Sequence, residues 1–252
     1  MSAPVFLVEP GRLDAVRPGG DYLLDGTEGR HAGVVQRRGA GERVDVVDGA
    51  GVRLVGRVRT VGPEGVRVDV EDVAVEPEPS PRLVLVQALA KGDRDEMAIE
   101  AATEVGVDAV VPWQAERSIV IWRGERAQKS RARWVGTVRT AAKQSRRARV
   151  PQVAQPVDDK GLVALVDATV AAGGAAVVLH ESATTPLRGV ALPDAGDVLV
   201  VVGPEGGISD RELDALTGAG AVACLLGPHV LRTSTAGPVA LAMLAERLGR
   251  WG

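Results

Sequence analysis

Two glycine-containing loops, each directly after a short apolar run, constrain the fold more than any other feature of this sequence. Residues 198–202 form a continuous apolar run, which is typical of a strand covered on both faces. Residues 203–207 follow, and their glycines permit a sharp turn and a close approach of the backbone to a ligand. A second apolar run at 221–226 leads into a loop over 227–235, and a small-residue helix is predicted from Ala236. This order predicts parallel strands with both loops at the edge of the sheet where α/β proteins bind ligands.

Ordinary turns between strands and helices are the alternative interpretation, because glycine-rich turns are common. The second loop favours a binding site, since Arg232 stands beside hydroxyl residues at a helix start. Ser209 and Glu212 have the spacing of a capping box, which predicts that a helix begins directly after the first loop.

The first part of the chain alternates apolar and charged residues with the period of a β-strand, and turns are predicted at 48–51 and 62–65. This pattern predicts a small all-β barrel or meander. One short helix is predicted around 29–38. Its basic side chains indicate either a solvated charged face or an RNA-docking surface, and they are Arg30, His31, Arg37 and Arg38.

Residues 76–81 read Glu-Pro-Glu-Pro-Ser-Pro, and prolines at alternate positions favour an extended linker. A domain boundary is therefore predicted here, with one domain over 1–75 and a second over 76–252. Strands and helices alternate through the second domain, which predicts an α/β fold with a mostly parallel sheet and helices on both faces. The predicted elements are strands at 83–89, 108–112 and 175–179, a helix capped by Asp93 that ends at Gly106, and a helix at 162–172.

A long basic helix is predicted over 125–147, with Trp134 and Val138 on its apolar side. Acidic partners at the i,i+4 spacing are almost absent, which predicts uncompensated positive charge near its end. A solvated face and a phosphate-binding surface are the two interpretations. The candidates for RNA binding in this part of the chain are Arg117, Lys143, Arg146 and Arg147.

Composition excludes several classes of protein. The net charge of −3 does not favour a nucleic-acid partner, but a local basic cluster matters more for phosphate binding than the total. Cys224 is the only cysteine, which excludes an intramolecular disulfide, and its apolar neighbours predict a buried side chain. The three histidines are scattered, so no metal site is predicted. No apolar run has the length of a membrane span and no signal peptide is recognisable, so a cytoplasmic location is expected.

The P-loop and G-x-G-x-x-G motifs are absent, which argues against a nucleoside triphosphate site and a standard Rossmann site. What remains is a pocket lined by backbone, with one arginine and several hydroxyl groups. Such a pocket suits a ligand that is held by main-chain groups, for example through an adenosine moiety. The ligand itself would then carry the group to be transferred.

Three segments together resemble one family. GPEGGIS at 203–209, LGPHVLRTSTA at 226–236 and QALAKGDRDEMAIEAATEVG at 87–106 are similar to the RsmE family, the uridine N3-methyltransferases of 16S ribosomal RNA in the SPOUT class. The resemblance spans essentially the whole chain. It implies an N-terminal PUA-like RNA-binding barrel, a C-terminal α/β trefoil-knot domain and a homodimer. It also implies S-adenosylmethionine as the methyl donor, with 16S rRNA or the assembled small ribosomal subunit as the substrate.

The same resemblance implies roles for individual residues. From the chemistry of N3 methylation, Arg232 is predicted to stabilise negative charge on the uracil oxygens as N3 loses its proton, and Thr235 or a water molecule is predicted to help orient the base. Glu205, Glu181 and His229 are the candidates for the group that accepts the proton. The predicted cofactor-binding residues are Leu179, His180, Glu181, Gly203, Pro204, Glu205, Gly206, Gly207, Leu226, Gly227, Val230, Leu231 and Thr233.

Two other functions remain open at this point. One is a SPOUT ribose 2′-O-methyltransferase, against which the β-rich first domain argues. The other is a non-catalytic RNA-binding factor for ribosome assembly, which the intact glycine loops and Arg232 disfavour.

Overall fold

The structure is a computed structural model that describes residues 3–251, and contacts between residues divide it into two units. The first unit takes the chain up to Glu78 together with Ala142–Val150, and the second comprises Pro79–Ala141 and Pro151–Gly252. The division after Glu78 falls inside the proline-rich segment. The predicted boundary puts residues 142–150 in the second domain, whereas their contacts place them in the first unit.

The first unit contains a five-stranded sheet in the order β1-β3-β4-β5-β2. Apolar side chains at alternate positions of its strands form a separate core. The hairpin between β4 and β5 turns at 62–65 and the β3–β4 connection turns at 48–51, as predicted. The strands are β1 (Val5–Leu7), β2 (Asp21–Leu24), β3 (Arg43–Val47), β4 (Val52–Gly62) and β5 (Gly65–Val75).

The helix predicted around 29–38 is wrong in its bounds. Helix α1 covers Gly26–Arg30, and a π-helical turn at His31–Val35 follows it. Arg37 has a φ of 53°, a left-handed conformation that ends the helical path. Arg37 and Arg38 therefore lie beyond the helix that was expected to contain them.

The second unit is built on a seven-stranded sheet in the order β10-β12-β9-β11-β6-β7-β8. Every neighbouring pair is parallel, which confirms the predicted sheet type. The strands are β6 (Arg82–Ala88), β7 (Ala109–Trp113), β8 (Gln152–Val153), β9 (Ala175–Leu179), β10 (Thr185–Pro186), β11 (Asp197–Val202) and β12 (Val222–Leu225).

Helices cover both faces of this sheet. Helices α4 (Asp159–Ala171) and α5 (Asp210–Gly218) pack on one face, over a core formed by alternate residues of the central strands. Helices α2 (Arg94–Glu104) and α6 (Thr233–Arg247) pack against each other and against β6 on the opposite face. Because the central strands of this sheet are buried on both faces, their residues are apolar at consecutive positions, which explains the continuous apolar runs in the sequence.

Three predicted helix ends need correction. Asp93 precedes α2 but has a φ of 58° and makes no side-chain capping hydrogen bond, so it is not the cap that was expected. Helix α3 covers Gly124–Gln144 and stops short of Arg147, because Arg146 has a φ of 61°. Helix α6 begins at Thr233, three residues before the predicted start.

The apolar side of α3 is as predicted. Trp134 and Val138 are buried, and the Trp134 ring meets Trp122 edge to face at 5.3 Å between centroids. Within residues 3–251, none of the helices combines the length and apolar character that crossing a membrane requires.

Candidate active site

Three loops meet at one edge of the parallel sheet because the strands that precede them are neighbours. β12, β9 and β11 lie side by side and run in the same direction, so their carboxyl ends share that edge. The loops line one cleft with a volume of about 680 Å³. All the residues predicted to bind the cofactor line this cleft, and Arg232 does so as well.

The first loop, residues 203–207, requires glycine for steric reasons. A Cβ atom at Gly203 would lie 2.6 Å from Cγ1 of Ile208, and Gly207 has a φ of 74°. The Gly207 amide donates to the carbonyl of Pro204 at 2.9 Å and closes the turn. The predicted capping box is confirmed, because Ser209 and Glu212 exchange hydrogen bonds at the start of α5.

The second loop, residues 226–232, ends where α6 begins. Thr233 is buried, and its hydroxyl donates to the carbonyl of Gly203 at 2.7 Å. It also accepts a hydrogen bond from Nε2 of Gln87 at 2.9 Å. Thr233 thus links the second loop to the first and to the end of β6.

Arg232 has extended backbone geometry at the N-cap of α6, and its side chain is exposed. Within the described part of the chain, its guanidinium makes no hydrogen bond or ion pair. Thr235 lies in the first turn of α6, is exposed, and is not among the residues that line the cleft.

Two arginines that were not predicted as cofactor-site residues also line the cleft. Arg94 forms an ion pair with Glu205 at 2.8 Å, and the Lys91 amide donates to the same carboxylate at 3.3 Å. Arg117 donates to the carbonyl of Gly206 at 3.0 Å, so it lies against the first loop. Arg94 could have been inferred from sequence, because its segment follows β6, the direct neighbour of β11.

A buried carboxylate fixes the segment that carries Arg117. Glu212 accepts hydrogen bonds from the amides of Ser209 at 2.8 Å and Glu116 at 2.7 Å. Arg211 pairs with Glu116 at 2.9 Å and thereby lowers the pKa of that carboxyl. Burial, followed by the nearby Glu212, raises the pKa of Asp159 in the same cluster.

The three candidate proton acceptors differ in their surroundings. Glu205 is occupied by Arg94, whereas Glu181 and His229 are exposed and have no partner among residues 3–251. His180 is oriented by Ser182, whose amide donates to Nδ1 at 3.2 Å. A neutral His180 ring therefore carries its proton on Nε2 and serves as a donor.

Comparison with known proteins identifies the family. The sequence model of the RNA methyltransferase domain matches residues 76–245. The chain is 47% identical over 229 residues to the ribosomal RNA small subunit methyltransferase E of Mycobacterium bovis, a match that covers 91% of this chain and 87% of that protein. The chain belongs to the ribosomal RNA small subunit methyltransferase E family.

Other members of the family support the assignment along the length of the chain. The Bacillus subtilis methyltransferase E is 31% identical over 228 residues, covering 89% of each protein. The crystal structure of the Neisseria gonorrhoeae methyltransferase E, bound to S-adenosyl methionine, superimposes with a TM-score of 0.82 at 26% identity and covers 98% of each chain. The family resemblance drawn from the motifs is confirmed.

The basic residues that the charge pattern indicated as RNA-binding candidates lie mostly in the first unit. Lys143 pairs with Glu28 at 2.7 Å, so the charge of this candidate is compensated by a residue distant in sequence. Arg38 contacts Glu42 at 3.6 Å, and Nε2 of His31 contacts Gln36 at 3.0 Å. Among these candidates, the guanidinium groups that stay exposed with no partner in the described chain are those of Arg30, Arg37 and Arg146.

No cluster of side chains that could hold a metal ion occurs among the residues that the structure describes in this family member. Cys224 is fully buried, as predicted, and burial raises the pKa of its thiol to about 11. The thiol is therefore protonated at neutral pH and unsuited to nucleophilic chemistry.

Proposed function

We propose that this protein methylates N3 of a uridine in the 16S rRNA of the small ribosomal subunit, with S-adenosylmethionine as the methyl donor. The observation that carries the proposal is the cleft itself, where three loops at the carboxyl edge of a parallel sheet surround Arg232, which has no partner in the part of the chain that the structure describes. Family membership and the relatives named above support it.

The cleft fits a ligand of this size and polarity. Its volume of about 680 Å³ lies within the range of small-molecule sites, and most of the residues that line it belong to the three loops. S-adenosylmethionine would supply an electrophilic methyl group. We propose that loops 179–181, 203–207 and 226–233 hold it through main-chain groups, while Arg94 and Glu205 close one side as an ion pair.

The chemistry assigned to the chain concerns the uracil ring. N3 must lose its proton as it gains the methyl group, and negative charge then develops on the ring oxygens. We propose that the Arg232 guanidinium stabilises this charge, because its donors have no partner among residues 3–251. Glu181 and His229 are free to accept the proton, and Thr235 is proposed to orient the base from the start of α6.

The two domains are proposed to have different functions. Residues 1–75 would form a PUA-like barrel that binds RNA through Arg30, His31, Arg37 and Arg38, and residues 76–252 would form a SPOUT domain with a trefoil knot at the cleft loops. Arg117, Lys143, Arg146 and Arg147 are proposed as further RNA contacts. The active protein is proposed to be a cytoplasmic homodimer.

Mass spectrometry of rRNA nucleosides tests the reaction. A deletion strain should lack 3-methyluridine in its small-subunit rRNA, and the wild-type gene should restore it. Loss of a 2′-O-methylated nucleoside instead would establish a ribose methyltransferase. Unchanged nucleosides, together with no binding of S-adenosylmethionine in calorimetry, would rule out the methyltransferase and favour a non-catalytic factor.

A further inference from the structure

The hydroxyl of Thr233 is engaged within the protein, although the family resemblance suggested Thr233 as a cofactor contact. Thr233 is 8% exposed, and its single hydroxyl proton is donated to the carbonyl of Gly203 at 2.7 Å. A threonine hydroxyl has only one proton to donate. Thr233 therefore has no hydroxyl donor left for a bound molecule.

Gln87 determines the direction of this hydrogen bond. Its Nε2 donates to the Thr233 oxygen at 2.9 Å, so the hydroxyl must turn its proton away from Gln87 and towards Gly203. Nε2 also donates to the carbonyl of Ala88 at 3.2 Å, which fixes the orientation of the amide. Gln87 is fully buried at the end of β6.

The Oε1 atom of Gln87 is buried with no hydrogen-bond partner in the described chain. An unpaired buried oxygen destabilises a fold, and an apolar side chain of similar size would avoid that cost. The glutamine is therefore a poor choice for packing alone. The hydrogen bond that its amide donates to Thr233 accounts for the presence of a glutamine at this position.

We propose that Gln87 is a positioning residue for the cofactor cleft, which it serves through Thr233. Its amide orients the Thr233 hydroxyl, the hydroxyl holds the Gly203 carbonyl, and this relay sets the first loop against the second. The inference rests on the proposed function, because it takes the cleft to be the site of S-adenosylmethionine. Neither Gln87 nor the Thr233 hydroxyl touches the cofactor in this scheme.

The test compares Gln87→Leu, Thr233→Val and the double variant in the full chain. Each single variant should weaken S-adenosylmethionine binding about 10-fold in calorimetry, and the double variant should be no weaker than the singles, because both remove one relay. The KM for S-adenosylmethionine should rise, whereas kcat, measured at saturating cofactor, should change far less. Thr233→Ser keeps the hydroxyl and should restore affinity. Thr169→Val alters an equally exposed threonine of α4, at 8%, and should leave affinity unchanged.

The outcomes separate the relay from the proposed function. If the wild-type protein fails to bind S-adenosylmethionine, the proposed function is wrong. If the wild type binds and Gln87→Leu binds equally well, the relay is overturned. Additive losses in the double variant would also overturn it, since they would show that Gln87 and Thr233 act independently. A lower melting temperature with unchanged affinity would assign Gln87 a role in stability alone.

Discussion

The three arginines that line the cleft differ in what their guanidinium groups contact. Arg94 is neutralised by Glu205, and Arg117 donates to the main-chain carbonyl of Gly206. Arg232 makes no hydrogen bond or ion pair with any residue of the described chain. Its donors are available to a charge that develops during a reaction, while those of the other two are already used to hold the first loop.

Replacing Arg232 by alanine should lower kcat about 100- to 1,000-fold, as loss of one charge-stabilising donor does in other enzymes. The affinity for S-adenosylmethionine should change little, because the proposed cofactor contacts are main-chain groups. Single-turnover methylation of an rRNA fragment and calorimetry measure the two effects. Arg188→Ala is the control, because Arg188 is exposed and does not line the cleft, and it should alter neither quantity. Loss of cofactor binding with an unaltered rate at saturation would contradict the role of Arg232.

The raised pKa of Asp95 predicts that the stability of the protein depends on pH. It is buried in the first turn of α2, and burial raises its pKa from 3.8 to about 6. Between these pH values the folded state keeps a proton that the unfolded chain has lost. The stabilising contribution is therefore complete below the unfolded pKa of 3.8 and is lost as the pH rises through about 6.

The variant Asp95→Asn cannot titrate, so it should not lose this contribution. Relative to the wild type, its free energy of unfolding should rise by about 2 kcal/mol between acidic and neutral pH, after a discount for solvent screening. Urea denaturation of both proteins at the two pH values measures the change. A difference between variant and wild type that is constant with pH would show that Asp95 titrates normally.

At the scale of elements, the first glycine loop depends on a missing Cβ atom. Gly203→Ala would place that atom 2.6 Å from Ile208 and displace the loop. We expect weaker binding of S-adenosylmethionine, measured by calorimetry. Gly136→Ala is the control, because nothing lies within 4 Å of its Cβ position in α3. It should leave binding intact and raise stability by about 0.5–1 kcal/mol. Equal binding by both variants would contradict the steric argument.

Apolar patterns predicted the strands around the cleft, because a strand that is buried on both faces is apolar at consecutive positions. The same patterns could not predict the start of α6, because Thr233 enters the helix with hydrogen bonds to Gln87 and Gly203, which are distant in sequence. The pairing of Lys143 with Glu28 spans 115 positions, so a search at helical spacing could not find it. Local patterns thus predicted the strands and loops of the cleft and missed contacts between residues that are distant in sequence.

At the scale of the whole molecule, the proline-rich segment indicated a division of the chain, but only part of the first unit precedes it. Ala148 and Val150 pack with Val5, Leu7 and Val47 in a small core of the first unit. No local pattern marks residues 142–150 as belonging there, because the contacts that decide it come from strands near the start of the chain. The first unit is therefore built from two separate segments.

The net charge of −3 conceals a difference between two sets of arginines in the first unit. Arg12, Arg59 and Arg67 pair with Asp25, Asp69 and Asp21, whereas Arg30, Arg37 and Arg146 are exposed without partners in the described chain. An unpaired guanidinium group can bind an RNA phosphate and release its counterions directly. A paired guanidinium must first give up its contact with a carboxylate of the protein. The unpaired set should therefore dominate the salt dependence of rRNA binding.

Replacing Arg30, Arg37 and Arg146 together by alanine should weaken binding of an rRNA fragment and reduce the slope of log K against log salt by about 2. The matched triple variant Arg12→Ala, Arg59→Ala and Arg67→Ala removes the same charge, yet it should change the slope much less. Filter binding at several salt concentrations measures both slopes, and calorimetry should find S-adenosylmethionine affinity intact in both. Equal reductions in the two variants would mean that total charge, rather than the unpaired arginines, controls RNA binding.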